Sequence, residues 1–513
     1  MSLLERVAKR NTVLVTFVGY EMFTIFGPTW VANVQEAGIS YQVLAVPDNK
    51  TARLVSGFGV PCFLLDQVDI QDVNTAFHWG SDTWRAHTWQ KVAIVRSVNH
   101  LGFNVVHSDI DVVWFRDPLD FFTQQHTVPD YMVSMDPITT QNDLGDTGLE
   151  KGTSVGHYMN TGVYFLRASP GGSALIDKWH SLRAQYIRQY HDQDGLYQYL
   201  AKQAVVEYDY PHRVALIKEQ GTKLAQLPAT LFQNAYSHCI NKVHKLHQVQ
   251  PFETHMVWTY GNNLGKAHRM REYMYFIDPP EYYNTGRYLS VQLSPVTVPP
   301  DFNTWNDTVA MAQHHWKSIQ QQLSELYYAF ALAYTSSRIL ILPRLTCFCI
   351  HNWFESPLCR LPGETITQLP MDCPADYLFN MPVLYNLRMD MRVIRIREYS
   401  FLENPRTHTR YKAAPFLISA KELQFPEHKP RHHYLPLKYK DLELNAELER
   451  LHAEPRLHVL NPKALFSNFS FPHYQNMFNK LMSSLAIRWC CLPRKDMDRV
   501  GIRDEGFQLA VGP

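Results

Sequence analysis

The sequence predicts an α/β protein: a mostly parallel sheet with helices on both faces, joined to a second, smaller α/β domain. Three observations predict it. Short apolar runs alternate with helix-length stretches over the first 200 residues, the pattern of β-α-β units. One run, 103–107, leads straight into Asp109-Ile110-Asp111, after which Val112, Val113 and Trp114 resume the apolar character. A proline-rich stretch at 294–301 (SPVTVPPD) then divides a domain of residues 1–293 from one of 302–513. Two domains suit a chain of 513 residues, which is too long for one ordinary core.

The elements follow in order. Residues 11–20 (NTVLVTFVGY) read as a strand, 22–37 as a helix ending at Gly38, and 41–46 and 62–65 as strands. The spacing of Trp89, Val92, Ala93 and Val95 predicts a helix over 84–101 with Gly102 as its stop. Strands are expected at 103–107, 131–135 and 163–166, and helices at 174–190 and 195–201. The first turn lacks G-x-G-x-x-G, which disfavours a dinucleotide site. Past the proline stretch, 308–333 reads as a long helix running into a strand at 339–342, and the remainder as a looser α/β arrangement.

Composition narrows the function. Hydrophobic residues make up 45% and charged residues 19%, as in a folded protein. With 49 basic and 48 acidic side chains and no long basic block, nucleic acid is not an expected partner. No run approaches the ~18–20 apolar residues of a membrane span. The first strand follows closely on Glu5, Arg6, Lys9 and Arg10, leaving no room for a signal peptide. The chain is therefore expected to be cytosolic, or to begin downstream of an anchor. Sequons at Asn49, Asn306 and Asn468, and seven of eight cysteines beyond residue 230, favour the second view. The spacing of Cys347 and Cys349, followed by Cys359 and Cys373, departs from C-x-x-C zinc sites, which favours disulfides or free thiols.

The chemistry concentrates at the acidic triplet. Carboxylates beside apolar residues call for neutralisation, and open α/β sheets bind ligands at strand C-termini. A divalent cation joining Asp109 and Asp111 to a diphosphate satisfies both conditions; an acidic turn after a core strand is the plainer alternative. Three further segments support the cation. Asn160-Thr161-Gly162 reads as a polar turn whose small residues admit close approach to the backbone. His191-Asp192-Gln193-Asp194-Gly195 places two acids at a helix junction, where Asp194 would otherwise serve as a cap. His255, followed by Gly261, Gly265 and Lys266, offers an imidazole for Mn²⁺ and a cation for phosphate.

At these residues the sequence resembles the nucleotide-diphospho-sugar transferases of glycosyltransferase family 77. The resemblance rests on SDIDVVWFRDP (108–118), preceded by a helix bearing Lys91 and the Gly102 turn. THMVWTYGNNLGKAHRMREYMYFIDPPEYY (254–283), ALAYTSSRILILPRLTCFC (331–349), IREYSFLENP (396–405) and Trp489-Cys490-Cys491 narrow it to the plant extensin arabinosyltransferases. It implies a GT-A-type, Rossmann-like, retaining enzyme of the Golgi lumen. The donor would be UDP-β-L-arabinofuranose, and the acceptor arabinosylated hydroxyproline of hydroxyproline-rich, extensin-like glycoproteins. Carried over by residue, Asp109, Asp111 and His255 would hold Mn²⁺ or Mg²⁺. Thr16, Lys91, Asp109, Asn160, Gly162, Gly265 and Lys266 would contact the donor. Asp109, Asp111, Asp192 and Asp194 would serve the reaction. Family members carry an N-terminal membrane anchor that is not read in this chain. A UDP-xylose or UDP-galactose transferase, or a non-catalytic glycan-binding relative, is the alternative.

Overall fold

The first strand, β1 (Thr12–Phe17), is buried along its whole length, as a strand covered on both faces must be. The structure is a computed structural model and describes residues 2–65, 80–136, 139–151, 159–352, 355–420 and 431–486. By their contacts these form two units, Met1–Trp258 and Thr259–Pro513.

In the first unit, β1 lies between β2 (Gln42–Val46) and β4 (Asn104–Ser108), with β3 (Cys62–Leu64) outside β2, all parallel. Beyond β4 come β7 (Met159–Leu166) and β6 (Tyr131–Met135), each pairing antiparallel with its neighbour. β10 (Thr222–Gln226) runs parallel to β6, and β9 (Val214–Ile217) and β8 (Val206–Asp209) close the nine-stranded sheet antiparallel. The architecture is the expected α/β one, but the sheet is mixed, with parallel pairing concentrated in its N-terminal part. A small second sheet joins β11 (Phe232–Asn234), β12 (Glu253–His255) and β5 (Val112–Trp114).

The helix Asp82–His100 starts where Ser81 accepts the Trp84 amide and ends before Gly102, whose φ of 90° an L side chain rarely adopts. It buries Trp89, Val92, Val95 and Val98 in the core shared with β1, β4 and the helix Pro170–Tyr186. Each such side chain contributes ~1.5–3 kcal/mol. One expectation is corrected here. Asn160, Thr161 and Gly162 lie within β7, in a run of eight buried residues, instead of forming a turn. A register irregularity between Val133 and Ser134 accommodates them, and their polar groups find partners inside the fold.

The second unit holds a six-stranded, wholly parallel sheet. Its strands are β13 (Tyr288–Gln292), β14 (Ile339–Ile341), β19 (Ile396–Arg397), β20 (Phe416–Ala420), β21 (His432–Leu435) and β22 (Arg456–Leu460), in the spatial order β19-β14-β13-β22-β20-β21. The antiparallel pairs β15 (Leu345–Cys347) with β16 (Met371–Cys373), and β17 (Arg388–Met389) with β18 (Arg392–Val393), lie outside it. The helix Thr308–Thr335 is capped by Asp307 and crosses from β13 to β14. The proline-rich stretch 294–301 is thus a connection inside this unit, because β13 before it pairs with β14 and β22. Disulfides join Cys347 to Cys373 and Cys349 to Cys359. Trp489, Cys490 and Cys491 lie outside the described residues. Among the described residues no helix is long and apolar enough to cross a membrane.

Candidate metal and donor site

Four strands of the first unit meet at the acidic triplet. β4 ends at Ser108, and the Asp109 amide donates to the Gly162 carbonyl of β7 at 2.8 Å. β5 begins at Val112 and pairs antiparallel with β12, so that His255 stands opposite Val112, next to Asp111. The Met256 amide donates to the Asp111 carbonyl at 3.1 Å, closing the turn.

His255 Nε2 lies 3.4 Å from Asp111 Oδ1 and 3.8 Å from Asp109 Oδ2. One ligand atom from each of the three residues falls within a sphere of contacts no wider than 4.8 Å. Two carboxylates and an imidazole at that spacing are compatible with a divalent cation. Asp111 and His255 are buried, while Asp109 keeps about a quarter of its side-chain exposure.

The other oxygen of Asp109 is engaged. Oδ1 accepts from Lys91 Nζ at 2.7 Å and from His107 Nε2 at 3.3 Å. Burial alone would raise the Asp109 carboxyl, but Lys91 and His107 more than offset it and hold it well below its usual range. Burial likewise opposes charge on Lys91, yet Asp109 and Asp192 raise its ammonium. Burial lowers His107, which keeps it neutral as a donor to Asp109.

Gly162 has a specific steric reason. A Cβ there would stand 2.1 Å from His255 Cε1 and 2.4 Å from Nδ1. The group that approaches this backbone is therefore the imidazole. His255 Nδ1 bonds Asn160 Oδ1 at 3.0 Å, and the same oxygen accepts the Gly162 amide at 2.9 Å. Asn160 Nδ2 in turn donates to Asp136 Oδ1 at 2.9 Å.

The remaining expected residues fall as follows. Thr16 is fully buried and donates to the Ser108 carbonyl at 2.8 Å, so it supports the triplet from beneath. Asp192 is buried at the start of the helix Asp192–Lys202; its Oδ2 accepts from Thr161 Oγ1 at 3.2 Å. Its Oδ1 has no protein partner among the described residues. Asp194 is half exposed and lies 3.0 Å from His191 Nδ1. Gly265 and Lys266 belong to the second unit, on the helix Asn262–Glu272. A Cβ at Gly265 would stand 1.6 Å from the Tyr260 carbonyl oxygen, so the local turn itself requires glycine.

Two residues beside the cluster escaped the sequence reading, His107 and Asp136; Gln193, read there as an amide beside two acids, accepts the Thr161 amide through its Oε1 at 2.9 Å. Asp136 carried a usable signal. It follows the apolar strand Tyr131–Met135 as Asp109 follows β4. His107, inside an apolar run, carried none.

Comparison with known proteins shows what this chain is similar to. Residues 38–270 match the family model described as nucleotide-diphospho-sugar transferase. Arabinosyltransferase XEG113 of Arabidopsis thaliana is 27% identical over 406 residues, 78% of this chain and 60% of that protein. The UDP-D-xylose:L-fucose α-1,3-D-xylosyltransferase MGP4 of the same plant is 28% identical over 175 residues, 34% of this chain and 47% of that protein. The galactosyltransferase LgtC, solved with donor and acceptor sugar analogues, aligns over 48% of this chain and 87% of its own at 15% identity, with a TM-score of 0.28. The fold is given by the strand order described above. The chain spans about half to three-fifths of the length of these plant relatives. The expected resemblance to nucleotide-diphospho-sugar transferases, with an arabinosyltransferase among its relatives, is borne out.

Proposed function

We propose that this chain is a cation-dependent, retaining glycosyltransferase that moves L-arabinofuranose from UDP-β-L-arabinofuranose onto arabinosylated hydroxyproline of extensin-like glycoproteins in the Golgi lumen. The observation that carries it is the convergence of Asp109, Asp111 and His255 in a segment matching nucleotide-diphospho-sugar transferases. The arabinosyltransferase similarity over 78% of the chain supports the sugar. Two disulfides support an oxidising compartment.

Asp109, Asp111 and His255 would hold Mn²⁺ or Mg²⁺, which supplies Lewis-acid stabilisation of the charge developing on UDP. Lys91 fixes the orientation of Asp109 by binding its Oδ1, which leaves Oδ2 directed at the cluster. Thr161 and Asp192 form a buried polar wall, and the remaining oxygen of Asp192 is suited to a sugar hydroxyl or to an oxocarbenium-like centre. Asp194, two residues further along the same helix and half exposed, is suited to the acceptor. The acceptor hydroxyl attacks from the face that UDP leaves, and the departing phosphate takes its proton.

The xylosyltransferase similarity favours one second reading, a UDP-xylose donor at the same site, since pentose discrimination needs few contacts. The test is incubation with a panel of UDP-sugars and short hydroxyproline arabinosides, with and without Mn²⁺, read by mass spectrometry. Added pentose from UDP-arabinofuranose, dependent on cation, is expected. Transfer from UDP-xylose alone would replace the donor assignment, and cation-independent transfer would remove the metal role.

A further inference from the structure

His255 can serve as a ligand only through an unprotonated nitrogen, and its orientation depends on what the other nitrogen donates to. Its Nδ1 faces Asn160 Oδ1 at 3.0 Å. That oxygen is identified by two independent bonds of the amide: it accepts from the Gly162 N–H at 2.9 Å, while Nδ2 donates to Asp136 Oδ1 at 2.9 Å. With an acceptor opposite Nδ1, that nitrogen is the donor, and Nε2, beside Asp109 and Asp111, is the nitrogen left to face a cation held by those carboxylates. Asp136 Oδ1 also lies 3.4 Å from Trp258 Nε1, the indole three residues past His255. One carboxylate therefore holds both the amide that faces the ring and the strand exit that carries it.

We propose that Asp136 is a positioning residue that acts through Asn160 to fix the tautomer and tilt of His255, making its Nε2 a ligand for the divalent cation. This rests on the reading of Asp109, Asp111 and His255 as the cation site. Asp136 touches neither cation nor ring in this role. If Asp136 is removed, the amide loses one of its two anchors, and the population with its NH₂ group toward Nδ1 rises. In that population Nδ1 must accept, the proton moves to Nε2, and ligation is blocked. Gly162 completes the seat, since only glycine leaves room for the ring at this distance.

The test uses the full chain without nucleotide and Mn²⁺ alone as probe. Long-range proton–nitrogen NMR of the metal-free protein, at a pH where the imidazole carries a single proton, reads the His255 tautomer, and electron paramagnetic resonance reads Mn²⁺ affinity. Wild type is expected to show the Nδ1-protonated form. Asp136→Ala is expected to show a mixture with the Nε2-protonated form and about 10-fold weaker Mn²⁺ binding, the scale of losses from partners of metal ligands. Asp136→Asn retains an acceptor oxygen and should restore both readings toward wild type. If Asp136→Ala does not fold, Asn160→Ser withdraws the amide from both partners and should give the same spectroscopic change. A wild-type tautomer and Mn²⁺ affinity in these variants overturn the inference while leaving the cation site intact. Mn²⁺ affinity unchanged in His255→Ala would overturn the underlying site instead.

Discussion

The two units treat buried charge in opposite ways. In the second, fully buried Arg269 meets Asp376 Oδ1 at 2.6 Å, and Arg271 meets Asp278 at 2.6 Å, so each guanidinium faces its own carboxylate. Asp376 Oδ2 also accepts the Tyr260 amide at 2.8 Å, tying down the turn before the helix Asn262–Glu272. In the first, Asp109 and Asp111 gather about His255, and Lys91 bonds Asp109 through its other oxygen. Paired charges close a fold, whereas acids drawn together about an imidazole form a cluster that a cation would complete.

The largest expected effect tests that cluster. Asp111→Ala should reduce cation-dependent transfer by about a thousandfold, or roughly 4 kcal/mol of transition-state stabilisation, with an unchanged circular dichroism spectrum. Near-wild-type rates would remove the site. Asp376→Ala should do the reverse and act on stability, at about 3–5 kcal/mol, because it strands a buried guanidinium. Urea unfolding measures it, and a loss below about 1 kcal/mol would mean that the pair is not buried as described.

Gly162→Ala sharpens the comparison on the first unit's side. Its methyl must displace the His255 ring, so about 1–3 kcal/mol of overpacking and weaker Mn²⁺ binding are expected together. Calorimetry with Mn²⁺ showing wild-type affinity would contradict the seat. The smallest effect concerns pH. Burial would lower His268, but Tyr385 and Glu272 prevail and raise it to about 10. Its contribution is complete below the ordinary histidine range and is lost as pH rises from there through about 10, by ~1–3 kcal/mol. His87 has the opposite sign. Burial and Lys91 push it down to about 3, so stability falls as pH drops from the ordinary histidine range toward that value. Melting of His268→Gln between pH 7 and 9.5 should show a smaller alkaline decline than wild type. An equal decline would shift the cause to another group.

Much of this was legible in the sequence because burial leaves a local pattern. β4 followed by Asp109 and Asp111, the helix Asp82–His100 with its Gly102 stop, and the long helix Thr308–Thr335 all announce themselves by apolar spacing. The choice of His255 among 24 histidines came from the resemblance and from its company with the aspartates. Its neighbour Asp136 was missed because its role arises where β6 pairs with β7 and where His255 of β12 meets Asn160, contacts that no local pattern encodes. Asn160–Gly162 misled for a related reason. Small and polar residues signal a turn, but here they line a buried strand whose empty volume is filled by a side chain 93 residues or more away. The proline stretch at 294–301 misled likewise, since composition records a break in secondary structure and not which sheet the preceding strand joins.

The Ser108 hydroxyl gives this molecule a built-in optical gauge. Indole nitrogens of Trp30 and Trp114 lie 3.3 and 3.1 Å from its Oγ, directly behind the Asp109 backbone. A paramagnetic ion arriving at the neighbouring carboxylates would dim the emission of those two rings, so occupancy can be followed with unlabelled protein in a fluorimeter.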